Sequence, residues 1–204
     1  MAQTTTETID RRLLDDHTRE KLRTTILTLF SEGSFQDVGI RQICDLAKVS
    51  PKTVYKYFGN KEEMLFGCIA ADLDRLNSTC LNRALAEPTI DRKFSVFVEL
   101  WCDFYFDNPA IARIVFLNIP QRYWVGERNF IQRDLHDAAI NLITEGQRMG
   151  FVWNDMEPEL LMNLMMGAAH RAMIQWLLSD QPPTAKLKQE IKTGLTRLFL
   201  KTGT

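Results

Sequence analysis

Four lysines, Lys48, Lys52, Lys56 and Lys61, fall within fourteen residues, and no acid lies between Asp45 and Glu62. The whole chain carries a net charge of −1, so these lysines form a local cationic island in an otherwise balanced protein. A polyanion such as nucleic acid can be held by a local patch of this kind without the protein being a polycation. Ser50, Thr53, Tyr55 and Tyr57 stand among the lysines. Ammonium groups and hydroxyls in this density suit hydrogen bonds to phosphate oxygens and to base edges.

Spacing places these groups on a short helix. Ser50 is a strong N-cap, and Pro51 follows at the first helical position, where its missing N–H is not needed. Phe58-Gly59 ends the helix. At about 100° per residue, with Val54 set toward the core, Phe58 shares the buried face. Lys52, Thr53 and Lys56 then point outward, and Tyr55 and Tyr57 lie on the two flanks. Lysine can reach guanine O6 or N7 in a major groove, and Thr53 can offer its hydroxyl or its methyl group. The flanking phenols, and Lys61 at the start of the next helix, can hold phosphates on either groove wall. Each residue taken alone also fits an ordinary solvated or core-covering role. The combination of cap, proline, outward lysines and flanking phenols points to a recognition helix.

The elements around it are helical. Leu22, Ile26, Leu29 and Phe30 mark a helix from about Asp15 to Gly33, after which Phe35 re-enters the core. Gly39 can cap a second helix whose apolar face is Ile40, Ile43, Cys44 and Ala47, and Lys48-Val49 is the turn into the recognition helix. Asn60 with Glu63 three residues later is a capping signature for a fourth helix that runs to Pro88. Beyond it, Phe94, Phe97, Val98, Trp101 and Tyr105 mark a fifth, and Asp107-Asn108-Pro109 restarts the chain through Phe116. Pro120 to Gly126 reads as a loop, followed by a helix from about Glu127 to Met149. Pro158 opens a strongly apolar helix, Pro182-Pro183 breaks it, and Leu187, Ile191, Leu195, Leu198 and Phe199 form one face of the last. No strand alternation and no internal repeat stands out, so the expected class is all-α.

The pieces Leu29-Phe30, Phe35, Ile40-Arg41-Gln42-Ile43, Ala47-Lys48-Val49-Ser50 and Thr53 to Lys61, all within residues 22–66, resemble the DNA-binding domain of the TetR family of transcriptional regulators. The resemblance covers about a quarter of the chain. Residues 1–14, Thr-rich and unpatterned, read as an arm, and the resemblance implies an N-terminal three-helix helix-turn-helix domain over residues 15–60 behind it. A helical effector-binding and dimerisation domain follows over 61–204, with 61–87 as connecting helix. It also implies a homodimer on a double-stranded, palindromic operator and a small-molecule effector that relieves repression. Carried onto this sequence, base contact falls to Lys52 and Thr53. Phosphate contact falls to Ser50, Tyr55, Lys56, Tyr57 and Lys61, with help from Arg41 and Lys48. Two departures stand out. The family's usual turn glycine is Lys48 here, and its usual threonine cap on the second helix is Gly39.

For the C-terminal part, five of the eight methionines lie between Met156 and Met173. Methionine and aromatic faces can line an adaptable apolar pocket, although plain core is the simpler reading of any one of them. Polar groups among apolar ones are more telling, because a buried polar group needs a partner. On these grounds Tyr105, Asn163 and His170 are candidate ligand contacts, with Trp101, Phe116, Trp124 and Met166 as walls, for a mostly apolar or aromatic effector. The helix after Pro158 is apolar nearly all round, which calls for burial on more than one side. Gly167, Ala168 and Ala169 allow close helix approach, and the resemblance places the last two helices in a four-helix dimer bundle.

Other classes find little support. Cys44, Cys68, Cys80 and Cys102 sit singly in apolar patterns and read as buried thiols. His17, His136 and His170 are too scattered for a metal site, and no phosphate-binding glycine loop or catalytic grouping appears. No cofactor, metal or enzymatic activity is expected. With neither a signal-peptide pattern nor a long apolar run, a cytoplasmic protein without a membrane partner is expected. A helix-turn-helix protein controlled by a protein partner is the alternative reading, and an all-α enzyme is a more distant one.

Overall fold

The computed structural model describes residues 15–33, 36–120 and 133–201. The N-terminal arm, Phe35, Trp124 and residues 127–132 lie outside that set. The chain divides into two compact units, Met1–Ala70 and Ala71–Thr204. The division falls within one helix, ten residues beyond the boundary expected from the sequence.

The first unit holds α1 (Asp16–Glu32), α2 (Ile40–Ala47), α3 (Pro51–Phe58) and the opening turns of α4 (Lys61–Leu85). Asp15 starts α1 by accepting the Thr18 N–H at 2.8 Å. Leu22, Ile26 and Phe30, spaced by four, are then fully buried. Ile43, Cys44 and Ala47 of α2, Val54 of α3 and Met64 and Leu65 of α4 are buried in the same unit. The α4 start is a capping box. Asn60 Oδ1 accepts the Glu63 N–H at 2.8 Å, and Glu63 Oε2 accepts the Asn60 N–H at 3.3 Å.

The second unit contains the remainder of α4, α5 (Ile90–Asp107) and α6 (Pro109–Arg113), which runs on as a π-helical turn, Ile114–Asn118. It continues with α7 (Arg133–Arg148), α8 (Pro158–Leu178) and α9 (Ala185–Phe199). Phe94, Trp101, Tyr105 and Phe106 of α5 are buried, as are Met162, Met165, Met173 and Trp176 of α8. Two ion pairs tie α9 to α5: Lys192–Asp103 at 2.6 Å and Lys188–Asp107 at 3.4 Å. The four-residue step on each helix matches, so both pairs form along a single line of contact. Extended pairing among the described residues is limited to one bridge, Val152 with Leu200. The class is all-α. Among the described residues no helix is long and apolar enough to cross a membrane. Cys44, Cys68, Cys80 and Cys102 are buried and reduced.

Candidate nucleic-acid interface and effector cavity

The turn between α2 and α3 is built around Lys48. Its φ of 59° and ψ of 43° are left-handed, and the Val49 N–H reaches back to the Cys44 carbonyl at 3.1 Å. Glycine is the residue that adopts this conformation at no steric cost, so lysine here carries on the order of 1 kcal/mol of strain. In return the turn gains an exposed ammonium group two residues before the α3 cap.

Ser50 then fixes the first turn of α3. Its hydroxyl accepts the Thr53 N–H at 3.1 Å and lies 2.8 Å from the Thr53 hydroxyl. Pro51 occupies the first helical position, and Gly59, with φ of 79°, closes the far end through its N–H to the Tyr55 carbonyl at 2.8 Å. Each end of this eight-residue helix therefore carries a capping hydrogen bond.

The side chains fall into three sets. Lys52, Tyr55 and Lys56 of α3 are exposed, as are Arg41 on α2, Lys48 and Ser50. Thr53 is half-buried, its hydroxyl already shared with Ser50. Tyr57 and Lys61 differ from expectation. The helical wheel puts Tyr57 on a flank, like Tyr55, but it is 6% exposed where Tyr55 is 54% exposed. Position 57 lies three residues after Val54 and position 58 four after, so both border the buried face. Phe58 leans instead toward α4, where Gly67 leaves room: a Cβ there would lie 3.1 Å from the Phe58 ring. Tyr57 consequently takes the deeper site, and only its hydroxyl is left to reach outward.

That hydroxyl is engaged by Arg19 of α1, which donates to it and is also bound to Asp16 at 3.0 Å. The hydrogen bond to Tyr57 raises the Arg19 pKa further. Sequence reasoning missed Arg19. Its pairing with Asp16 at i,i+3 was visible, but the contact to Tyr57 is non-local. Lys61 is half-buried, with Nζ 5.7 Å from the centre of the Phe30 ring. Desolvation lowers its pKa, opposed by Glu62 and Asp37. It sits at the first position of α4, where free backbone N–H groups favour an anion.

In the second unit, four of the seven candidate ligand residues come together, but they fill the space they were expected to enclose. Trp101 meets Tyr105 at 4.8 Å and Phe116 at 5.9 Å between ring centres. Tyr105 meets Phe116 at 4.8 Å, and Phe116 meets His170 at 5.2 Å. All four contacts are edge-to-face, the arrangement aromatic rings prefer. Burial lowers the pKa of His170. Met166 is half-buried, and Asn163 is exposed, not buried among apolar neighbours. Its helix is apolar on every side, so the pattern gave no direction to the inward face. Trp124 lies outside the described residues.

An open cavity does exist in this unit, elsewhere. Its walls include Ala84, Phe94, Ala139, Met165 and Phe199, and none of the six described candidates lines it.

Comparison with known proteins places these observations. Residues 22–68 match the family described as bacterial regulatory proteins, tetR family. FadR from Bacillus subtilis, solved in complex with stearoyl-CoA, superposes with a TM-score of 0.69 at 16% identity, covering 88% of this chain and 96% of that one. The ketosteroid transcriptional regulator KstR2 of Mycobacterium tuberculosis gives 0.67 at 14% identity, over 92% and 97%. RolR, solved with resorcinol, gives 0.64 at 20% identity, over 89% and 87%. At these identities the likeness is one of fold. No curated protein sequence matches the chain.

Proposed function

We propose that this chain, which belongs to the TetR family of transcriptional regulators, is a repressor whose homodimer binds a palindromic operator and releases it when a small, mostly apolar effector enters the second unit. The family assignment carries DNA binding and transcriptional regulation. The operator contacts, the dimer and the effector are proposed from the geometry of the chain.

The observation that carries the DNA-binding part is α3 itself. It is an eight-residue helix capped at both ends, with Lys52, Tyr55 and Lys56 exposed on its outer side. We assign base contact to Lys52 and Thr53, and phosphate contact to Arg41, Lys48, Ser50, Tyr55, Lys56 and Lys61. Tyr57 contributes through its hydroxyl alone. DNA selected from the source genome by the purified protein gives the operator directly. Footprints with two half-sites support the reading, and protection of a single undivided site contradicts it.

Support for the homodimer comes from α8 and α9. Leu160, Leu164 and Leu178 are 50%, 54% and 64% exposed, and Leu198 on α9 is 45% exposed. Gly167 and Ala168 lie exposed on α8, and a Cβ on Gly167 would meet nothing within 4 Å. Apolar side chains flanking a small-residue gap are what a helix from a second copy would cover. Sedimentation at micromolar concentration tests this, and a monomer would contradict it.

An apolar effector is favoured by the composition of the second unit's interior. Structural neighbours include one solved with stearoyl-CoA and one with resorcinol, so this fold accommodates ligands of quite different shape. Such a regulator acts in the cytoplasm, needs no cofactor and catalyses no reaction.

A further inference from the structure

The cavity in the second unit is walled by five helices. Ala84 comes from α4, Phe94 from α5, Ala139 from α7, Met162 and Met165 from α8, and Phe199 from α9. Every side chain lining it is hydrocarbon or thioether, without a nitrogen or a hydroxyl. We propose that this cavity, and not the aromatic cluster, takes the ligand, and that the part of the ligand it takes is a single unbranched alkyl chain. The inference rests on the effector reading above and names the chemistry of its ligand.

Two features of the walls lead to that class. A polar group inside would find no partner, so only hydrocarbon can be buried there without a desolvation cost. The free space inside measures about 20 Å³, little more than one water molecule requires. A ring system would have to displace whole side chains to enter. A methylene chain asks for much less. Met162 and Met165 are unbranched, with three rotatable bonds each, and can swing aside along its length. Their neighbours Ala84 and Ala139 present only methyl groups, so the chain can lie close to the α4 and α7 backbones.

The mouth is also marked. Leu85 is exposed, and Leu81 and Ala138 are half-buried. The ligand's polar end stays there in water. The aromatic cluster offers no comparable entry, because Trp101, Tyr105 and Phe116 are buried against one another.

The test uses the full chain and a series of straight-chain primary alcohols from butanol to dodecanol, with binding followed by calorimetry. Each added methylene should tighten Kd by up to about fourfold, equivalent to about 0.8 kcal/mol per buried CH₂ less what displacing Met162 and Met165 costs, until no further side chain can give way and the series levels off. Ala138→Phe, at the half-buried edge, should weaken binding of every member at least tenfold. Met165→Ala should move the levelling point to longer chains, and it provides the test should Ala138→Phe fail to fold. Affinity that ignores chain length, or that neither variant changes, overturns the proposal. Parallel measurement of operator release separates the two levels. Length-dependent binding with no release supports the alkyl site and removes the effector reading. Release by a simple phenol, with no binding of the alcohols, removes the alkyl site and leaves the effector reading standing.

Discussion

The Ser50 hydroxyl accepts the Thr53 backbone N–H at 3.1 Å and lies 2.8 Å from the Thr53 hydroxyl. One side chain therefore starts α3 and orients Thr53, the residue proposed to contact a base. Ser50→Ala should cost about 1 kcal/mol of stability through the lost cap. It should also loosen discrimination among operator variants, because Thr53 is no longer held. Ser50→Asp keeps a strong cap while placing a carboxylate beside phosphates, so it should remain stable and bind DNA poorly. Thermal unfolding beside operator titration checks both. A Ser50→Ala protein with unchanged Tm would show that the cap is not limiting.

Lys48 presents a trade between strain and charge. Lys48→Gly removes the left-handed penalty and should stabilise the first unit by about 1 kcal/mol. The same change removes one of the proposed phosphate contacts, so the slope of log K against log salt should become shallower by about one. Denaturant unfolding and binding at several salt concentrations measure the two effects separately. Equal salt slopes would remove Lys48 from the contact set.

Gly39 can be improved. Its φ of −89° and ψ of 149° are extended, it makes no side-chain cap, and a Cβ there would meet nothing within 4 Å. Gly39→Thr should therefore add a capping bond to α2 and raise stability by a few tenths of a kcal/mol. A Tm that falls would mean that the hydroxyl does not reach the free N–H groups of α2.

The buried thiols give a pH prediction. Burial pushes Cys68, Cys80 and Cys102 up to about 12 from an ordinary value of 9.0. An acid with a raised folded pKa favours folding while it is neutral. Its unfolded form begins to lose the proton near pH 9, so stability falls as pH rises from there toward 12. At pH 8 a thiol reagent should label these three cysteines only as fast as the chain opens. Rapid labelling of all three in the native protein would contradict their burial.

Local chemistry was legible in the sequence where a few consecutive residues decide it. Ser50-Pro51, Asn60 with Glu63, and the turn at Lys48 each follow from short-range hydrogen bonding, and the structure has all three. Tyr57 was not legible. A wheel ranks positions 57 and 58 almost equally, and the choice was made by Gly67, nine residues further along on another helix. The same limit applies to the second unit. Composition pointed to an apolar interior, but whether rings fill a space or surround it depends on how α5, the π-helical turn and α8 meet. Trp101, Tyr105 and Phe116 fill it, and the cavity lies instead among alanines that no motif marked and two of the methionines, Met162 and Met165, that the composition did.

α3 is the element proposed to read DNA. Its most direct test is selection of DNA fragments by the wild-type protein and by Lys52→Ala, Thr53→Ala and Lys61→Ala, followed by titration of the selected operator variants. Lys52→Ala and Thr53→Ala should reorder the preferred sequences, each costing about 1–3 kcal/mol at the affected base pair. Lys61→Ala should weaken all sequences alike and reduce the salt slope by about one. Unchanged ranking and affinity in both Lys52→Ala and Thr53→Ala would contradict the assignment of α3 as the reading helix.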